Sequence, residues 1–134
     1  MNGVDEIPKI LVVEDHPSTR MLISSLLQRL GYEDICLARN GIEALALAQL
    51  KTNRYDLILS DWDMPEMDGL TLWGKIREDD VLKEIPFVLI TAMNEIDMVK
   101  RAISEGVTDY IVKPITLEAL KNKVARALSK KPQT

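Results

Sequence analysis

The chain is short of cysteine, aromatics, basic clusters and long apolar runs, and each shortage excludes something. A single cysteine, Cys36, leaves no internal disulfide to brace the fold. It lies in the apolar run Ile35-Cys36-Leu37, which predicts a buried structural thiol. The longest apolar run falls far short of the roughly 20 residues that a membrane-spanning helix needs. The start, Met1 to Lys9, is polar and acidic, unlike a secretory signal peptide. Together these features predict a cytoplasmic protein. Two Trp, three Tyr and one Phe are all the aromatics, and the net charge is -4. No Lys/Arg cluster is interleaved with aromatics, and the pair Lys130-Lys131 is too short to be a basic patch. Direct nucleic-acid binding is therefore not expected.

What remains is an ordinary globular composition. A length of 134 residues suits one domain, 46% apolar residues can build its core, and 28% charged residues keep its surface wet. The pattern alternates strand and helix throughout. Strands are predicted at about 9–14, 34–38, 56–60, 86–91 and 108–113. Helices are predicted at about 17–30, 41–51, 69–78, 95–105 and 116–129. Gly31 suits a left-handed helix end, and Gly106 ends the fourth helix. Asn40 followed by Glu43 resembles a capping box, and Thr116 suits an N-cap. The tail, Lys130 to Thr134, is polar and expected to fray. Five strand-then-helix repeats predict an α/β fold, a parallel sheet with right-handed crossovers and helices on both faces.

Four of the strands end in residues that handle phosphate or metal. Ile10-Leu11-Val12-Val13 runs into Glu14-Asp15, and Leu57-Ile58-Leu59-Ser60 into Asp61. Phe87-Val88-Leu89-Ile90 runs into Thr91, and Tyr110-Ile111-Val112 into Lys113-Pro114. In parallel sheets, function collects at the carboxyl ends of the strands. Three carboxylates in one crevice repel, so one takes a proton or a cation enters. A few hard oxygen ligands suit Mg²⁺, with waters completing its shell. Asp61 is then a candidate nucleophile that forms an acyl phosphate, with Lys113 and the cation neutralising the phosphoryl oxygens. Each residue alone has a plainer reading. An Asp after a strand often caps the next helix, a Lys before Pro is usually a solvated surface residue, and Thr91 could cap the fourth helix. His16, the only histidine, reads as a loop residue beside the site, because Mg²⁺ prefers oxygen.

At these residues the sequence resembles the receiver domain of bacterial response regulators, most of all the single-domain chemotaxis type. The resemblance runs through Leu11-Val12-Val13-Glu14-Asp15, then Leu59-Ser60-Asp61-Trp62-Asp63-Met64-Pro65-Glu66-Met67-Asp68-Gly69. It continues through Leu89-Ile90-Thr91-Ala92 and Tyr110-Ile111-Val112-Lys113-Pro114, and covers about residues 8–129. It implies a flavodoxin-like (βα)5 sheet of strand order 2-1-3-4-5. It implies that Asp61 accepts a phosphoryl group from the phosphohistidine of a sensor histidine kinase or phosphotransfer protein. Asp15 would ligate Mg²⁺ directly, Glu14 through water, and the Asp63 backbone carbonyl would be a further ligand, with Mn²⁺ as an alternative ion. Thr91 and Lys113 match the family's hydroxyl and lysine, and Tyr110 its switch aromatic. The Lys113-Pro114 bond is expected to be cis. Phosphorylation would reshape the face made by the fourth helix, fifth strand and fifth helix for an unknown downstream protein.

Two other readings compete. Asp61-Trp62-Asp63 resembles the Asp-x-Asp start of haloacid-dehalogenase phosphatases, although that family carries it after the first strand. A scaffold that binds partners without phosphorylation would usually have lost the Asp or the Lys. A start at Met1 and a short tail favour a complete single-domain protein, monomeric when unphosphorylated.

Overall fold

The computed structural model describes residues 7–130 other than 51 and 53. The elements run β1 (Lys9–Val13), α1 (Pro17–Arg29), β2 (Asp34–Ala38), α2 (Gly41–Gln49), β3 (Leu57–Asp61) and α3 (Gly69–Arg77). They continue with β4 (Phe87–Thr91), α4 (Ile96–Glu105), β5 (Asp109–Val112) and α5 (Leu117–Ser129). A 3-10 turn, Met93–Glu95, leads into α4. The strands pair in parallel in the order β2-β1-β3-β4-β5, as expected from the resemblance.

Strand alternation splits the core into two layers. Leu11, Val13, Ile58, Phe87 and Leu89 pack under α2, α3 and α4, against Ala44, Leu72, Ile76 and Val99. Ile10, Val12, Leu57, Leu59, Val88 and Ile90 pack under α1 and α5, against Ile23, Leu27, Leu120 and Val124. β3 and β4 are buried at every residue, which explains their unbroken apolar runs.

Local chemistry fixes most helix ends. Asn40, Asp68 and Thr116 accept the N–H groups of Glu43, Thr71 and Ala119. Gly31 takes φ +95°, and the N–H groups of Gly31 and Tyr32 donate to the carbonyls of Gln28 and Leu27. That pair of bonds is a Schellman ending, which needs the left-handed residue that glycine supplies.

Several expectations need correction. β3 ends on Asp61 itself, which pairs with Ile90, rather than one residue earlier. β1 stops at Val13, although Glu14 still donates its N–H to Ala38 O. α2 ends at Gln49, and residue 51 of its expected span lies outside the described residues. So do residues 131–134 of the expected frayed tail. The capping box at α2 is half made: the Glu43 carboxylate accepts from the Arg39 N–H at 2.8 Å instead of from Asn40. Cys36 is half-buried, because β2 is an edge strand paired only to β1.

Candidate functional site

The sheet register levels the strand ends. Val13 pairs with Ser60, so Glu14 comes abreast of Asp61. Thr91 pairs with Val112, which delivers Lys113 at the next step, its N–H donating to Thr91 O at 2.8 Å. Residues nearly a hundred positions apart therefore share one crevice because four parallel strands stop at one level.

Burial sets the electrostatics. Glu14 and Thr91 are wholly buried and Asp61 is 3% exposed. The Lys113 ammonium is 3.0 Å from Asp61 Oδ1 and 3.7 Å from Glu14 Oε1. One cation thus faces Glu14, Asp15 and Asp61. Burial pushes the Asp61 carboxyl up to about 6, the Glu14 charge adds to this, and Lys113 only partly offsets both. Lys113 is displaced upward: its burial works against the charge, but the hydrogen bond to Asp61 and the surrounding carboxylates outweigh it. Glu14 Oε1 and Asp15 Oδ1 are buried oxygens that accept no hydrogen bond. Unsatisfied buried acceptors are costly, so they mark a place for a cation or a donor.

Gly69 seats this crevice. A Cβ there would overlap the Asp61 carbonyl oxygen and come within 2.9 Å of Leu89 Cδ2. The first turn of α3 therefore lies against the end of β3, and the Gly69 N–H donates to Trp62 O at 2.9 Å. Asp63 is exposed just beyond Asp61, and the Lys113-Pro114 peptide is cis.

The other expected residues fall into different places. Thr91 is beside Asp61 on β4, but its hydroxyl donates to Glu95 Oε1 at 3.0 Å rather than to Asp61. It does not cap α4 by accepting an N–H. Tyr110 is away from the carboxylates, half-buried, with Lys123 Nζ 4.7 Å from its ring centroid. Three further residues belong to the site. His16 Nδ1 is 3.4 Å from Glu14 Oε2 and 3.3 Å from Asp15 Oδ1, closer to the carboxylates than a bystander would be. Arg20 donates to the Glu14 carbonyl at 2.8 Å. Glu95 holds Thr91. Glu95 stands four residues after Thr91 at a helix entrance, a spacing that could have suggested contact; nothing in the sequence points to Arg20.

Comparison with known proteins decides the family. The model of the response regulator receiver domain matches residues 10–125. The chain belongs to the response regulator receiver family. It is 42% identical over 116 residues to the chemotaxis protein CheY1 of Helicobacter pylori, covering 87% of this chain and 93% of that protein. The solved chemotaxis protein CheY4 of Vibrio cholerae superposes with a TM-score of 0.82 at 34% identity, covering 91% and 99% of the two chains. The receiver domain of a Pseudomonas aeruginosa PAO1 sensor histidine kinase superposes at 0.81 with 30% identity, covering 92% and 99%. That structure holds a magnesium ion coordinated in its active-site cleft. This chain is thus a CheY-like receiver of two-component signalling. That assignment leaves no place for the phosphatase reading, since the matched family is a phosphoacceptor one. Among the described residues, no helix is long and apolar enough to cross a membrane.

Proposed function

We propose that Asp61 accepts a phosphoryl group from the phosphohistidine of a histidine kinase or phosphotransfer protein. The observation that carries this is a buried Asp61 held at 3.0 Å by Lys113, next to buried carboxylate oxygens that accept no hydrogen bond. Mg²⁺ fits those oxygens, and Asp15, Asp61, the Asp63 carbonyl and Glu14 through water would hold it. When bound, it supplies positive charge to the phosphoryl oxygens and relieves the carboxylate repulsion. Mn²⁺ is the alternative ion.

The free oxygen of Asp61 attacks phosphorus. The new O–P bond forms as the N–P bond to the donor imidazole breaks, and the imidazole leaves with that electron pair. Lys113 keeps its contact with Oδ1 and also donates to an incoming phosphoryl oxygen. Thr91 leaves Glu95 and donates its hydroxyl to the phosphoryl group. Tyr110 then turns into the space vacated, and the α4–β5–α5 face changes shape for a downstream protein. The chain acts as one receiver domain, catalysing only its own phosphorylation and dephosphorylation. The intact Asp61–Lys113 pair weighs against a scaffold that works without phosphate.

Incubation with acetyl phosphate and Mg²⁺ should add one hydroxylamine-labile phosphoryl group, and Asp61→Asn should accept none. Full labelling of the variant would sink the assignment.

A further inference from the structure

We propose that Lys123 holds the Tyr110 ring in its resting orientation, and that Asp109 fixes Lys123 in place so that the hold is lost when the ring turns. The turning rests on the proposed function above; the resting hold does not.

The edge of the sheet makes this contact possible. β5 pairs only with β4 and is an edge strand. Alternation along a strand sends neighbouring side chains to opposite faces. Tyr110 accordingly packs with the layer under α2, α3 and α4, whereas Ile111 packs with the layer under α1 and α5. Asp109, two residues before Ile111, shares its face. A residue of α5 can reach both faces only over the open edge, and Lys123 does so. Its Nζ donates to Asp109 Oδ1 at 2.8 Å and lies over the Tyr110 ring, 4.7 Å from the centroid. An ammonium over an aromatic face is attracted by the ring quadrupole.

Asp109 makes this contact discriminate between orientations. Lysine has a flexible four-carbon stem and could follow a moving ring. Here its anchor is immobile: Asp109 is buried, and its Oδ1 also accepts the Tyr110 backbone N–H at 2.8 Å. Arg126 is a looser neighbour, 3.8 Å from Oδ2 and 61% exposed. Lys123 is therefore tied to the backbone of the strand that carries the ring, and it stays when the ring leaves. An interaction shifts a two-state equilibrium only by the difference it makes between the states. Anchored, Lys123 favours the resting orientation; unanchored, it would follow the ring and favour neither. The plainer reading is an ion pair that only neutralises a buried carboxylate.

The test is read by NMR on the full chain in two stages. In the free protein, the ring current of Tyr110 should shift the Lys123 ε-methylene protons upfield, and Tyr110→Leu should abolish that shift. Mg²⁺ and beryllofluoride, which mimics a phosphoryl group, are then titrated in while the α4 amides are followed. Lys123→Met should reach half-maximal shifts at about two- to fivefold less beryllofluoride than wild type. Asp109→Asn should move in the same direction, and Lys123→Arg, which keeps a cation over the ring, should stay close to wild type. In a Tyr110→Leu background, Lys123→Met should change nothing. An unshifted Lys123 ε-methylene, a Lys123→Met half-point equal to wild type, or one displaced as far in the Tyr110→Leu background overturns the proposal and leaves a plain ion pair. The first stage needs no substitution at Lys123, so it decides the hold even if Lys123→Met does not fold. A wild type with the upfield shift but no beryllofluoride response would sink the Asp61 reading and the turning together, and leave the resting hold standing.

Discussion

Asp61 illustrates how far one residue can work against the fold that holds it. Its carboxyl ionises near pH 6 in the folded chain, against 3.8 ordinarily, chiefly because of burial and then the Glu14 charge. A carboxyl raised in this way contributes stability that is complete below about pH 4 and is lost as pH rises through 6. With chelator present, Asp61→Asn should therefore stabilise the protein at pH 7.5 by about 1–2 kcal/mol, after allowing for the lost Lys113 contact. Urea midpoints at pH 5 and 7.5 check this; a variant no more stable than wild type at 7.5 contradicts it. Gly69 makes the opposite case. Gly69→Ala must push the end of β3 or Leu89 aside, at a cost of about 1–3 kcal/mol, visible as a lower urea midpoint. The carboxylates and Lys113 were legible in the sequence because strand ends leave a side chain little choice of place. His16 was legible as a loop residue beside the site, but its contact with Glu14 and Asp15 was not, because whether a loop imidazole turns toward its neighbours depends on the backbone at the start of α1.

Among the elements, the entrance to α4 has the most to say about switching. Thr91 ends a buried strand, and its hydroxyl is tied to Glu95 in the 3-10 turn before the helix. The Ala92 N–H donates to the same Glu95 oxygen at 3.2 Å. This pair of bonds favours the conformation in which Thr91 faces away from Asp61. A bond to a charged group is worth about 1.5–3 kcal/mol, and a bias of about 1.4 kcal/mol shifts a two-state equilibrium tenfold. Glu95→Ala should thus reach half-maximal shifts of the α4 and Tyr110 amides at roughly tenfold less beryllofluoride, a phosphoryl mimic. Matching half-points in the two proteins would show that Glu95 does not restrain Thr91. The element pattern itself was legible because period and caps agree, as at Asn40, Thr116 and Gly31. The 3-10 turn was not: of residues 93–95 only Glu95 falls in the helix expected at 95–105, and a single turn is too short to show a period. The half-made box at Asn40 has a similar cause: Arg39 and Asn40 both offer an N–H within reach of Glu43, and only the backbone decides between them.

For the molecule as a whole, the site is a property of the sheet. Glu14, Asp61 and Lys113 stand at the carboxyl ends of β1, β3 and β5 and meet only when those strands are in register. The unfolded chain cannot reproduce that cluster, so an ion that binds it must stabilise the fold by mass action. The strand order was readable only through the family resemblance; apolar runs and helical spacing give a parallel sheet but not which strand lies in the middle. With Mg²⁺ at ten times its Kd, expected on the order of millimolar for so few protein ligands, the gain is about 1.4 kcal/mol. Thermal or urea unfolding across a Mg²⁺ series should rise and keep rising logarithmically once the ion exceeds its Kd. Asp15→Asn should flatten that rise, because it removes the proposed direct ligand while leaving the core layers untouched. Na⁺ at matched ionic strength separates screening of the carboxylates from binding. An equal rise in wild type and Asp15→Asn, or one that Na⁺ reproduces, would mean that general screening relieves the cluster and that Asp15 is not the ligand.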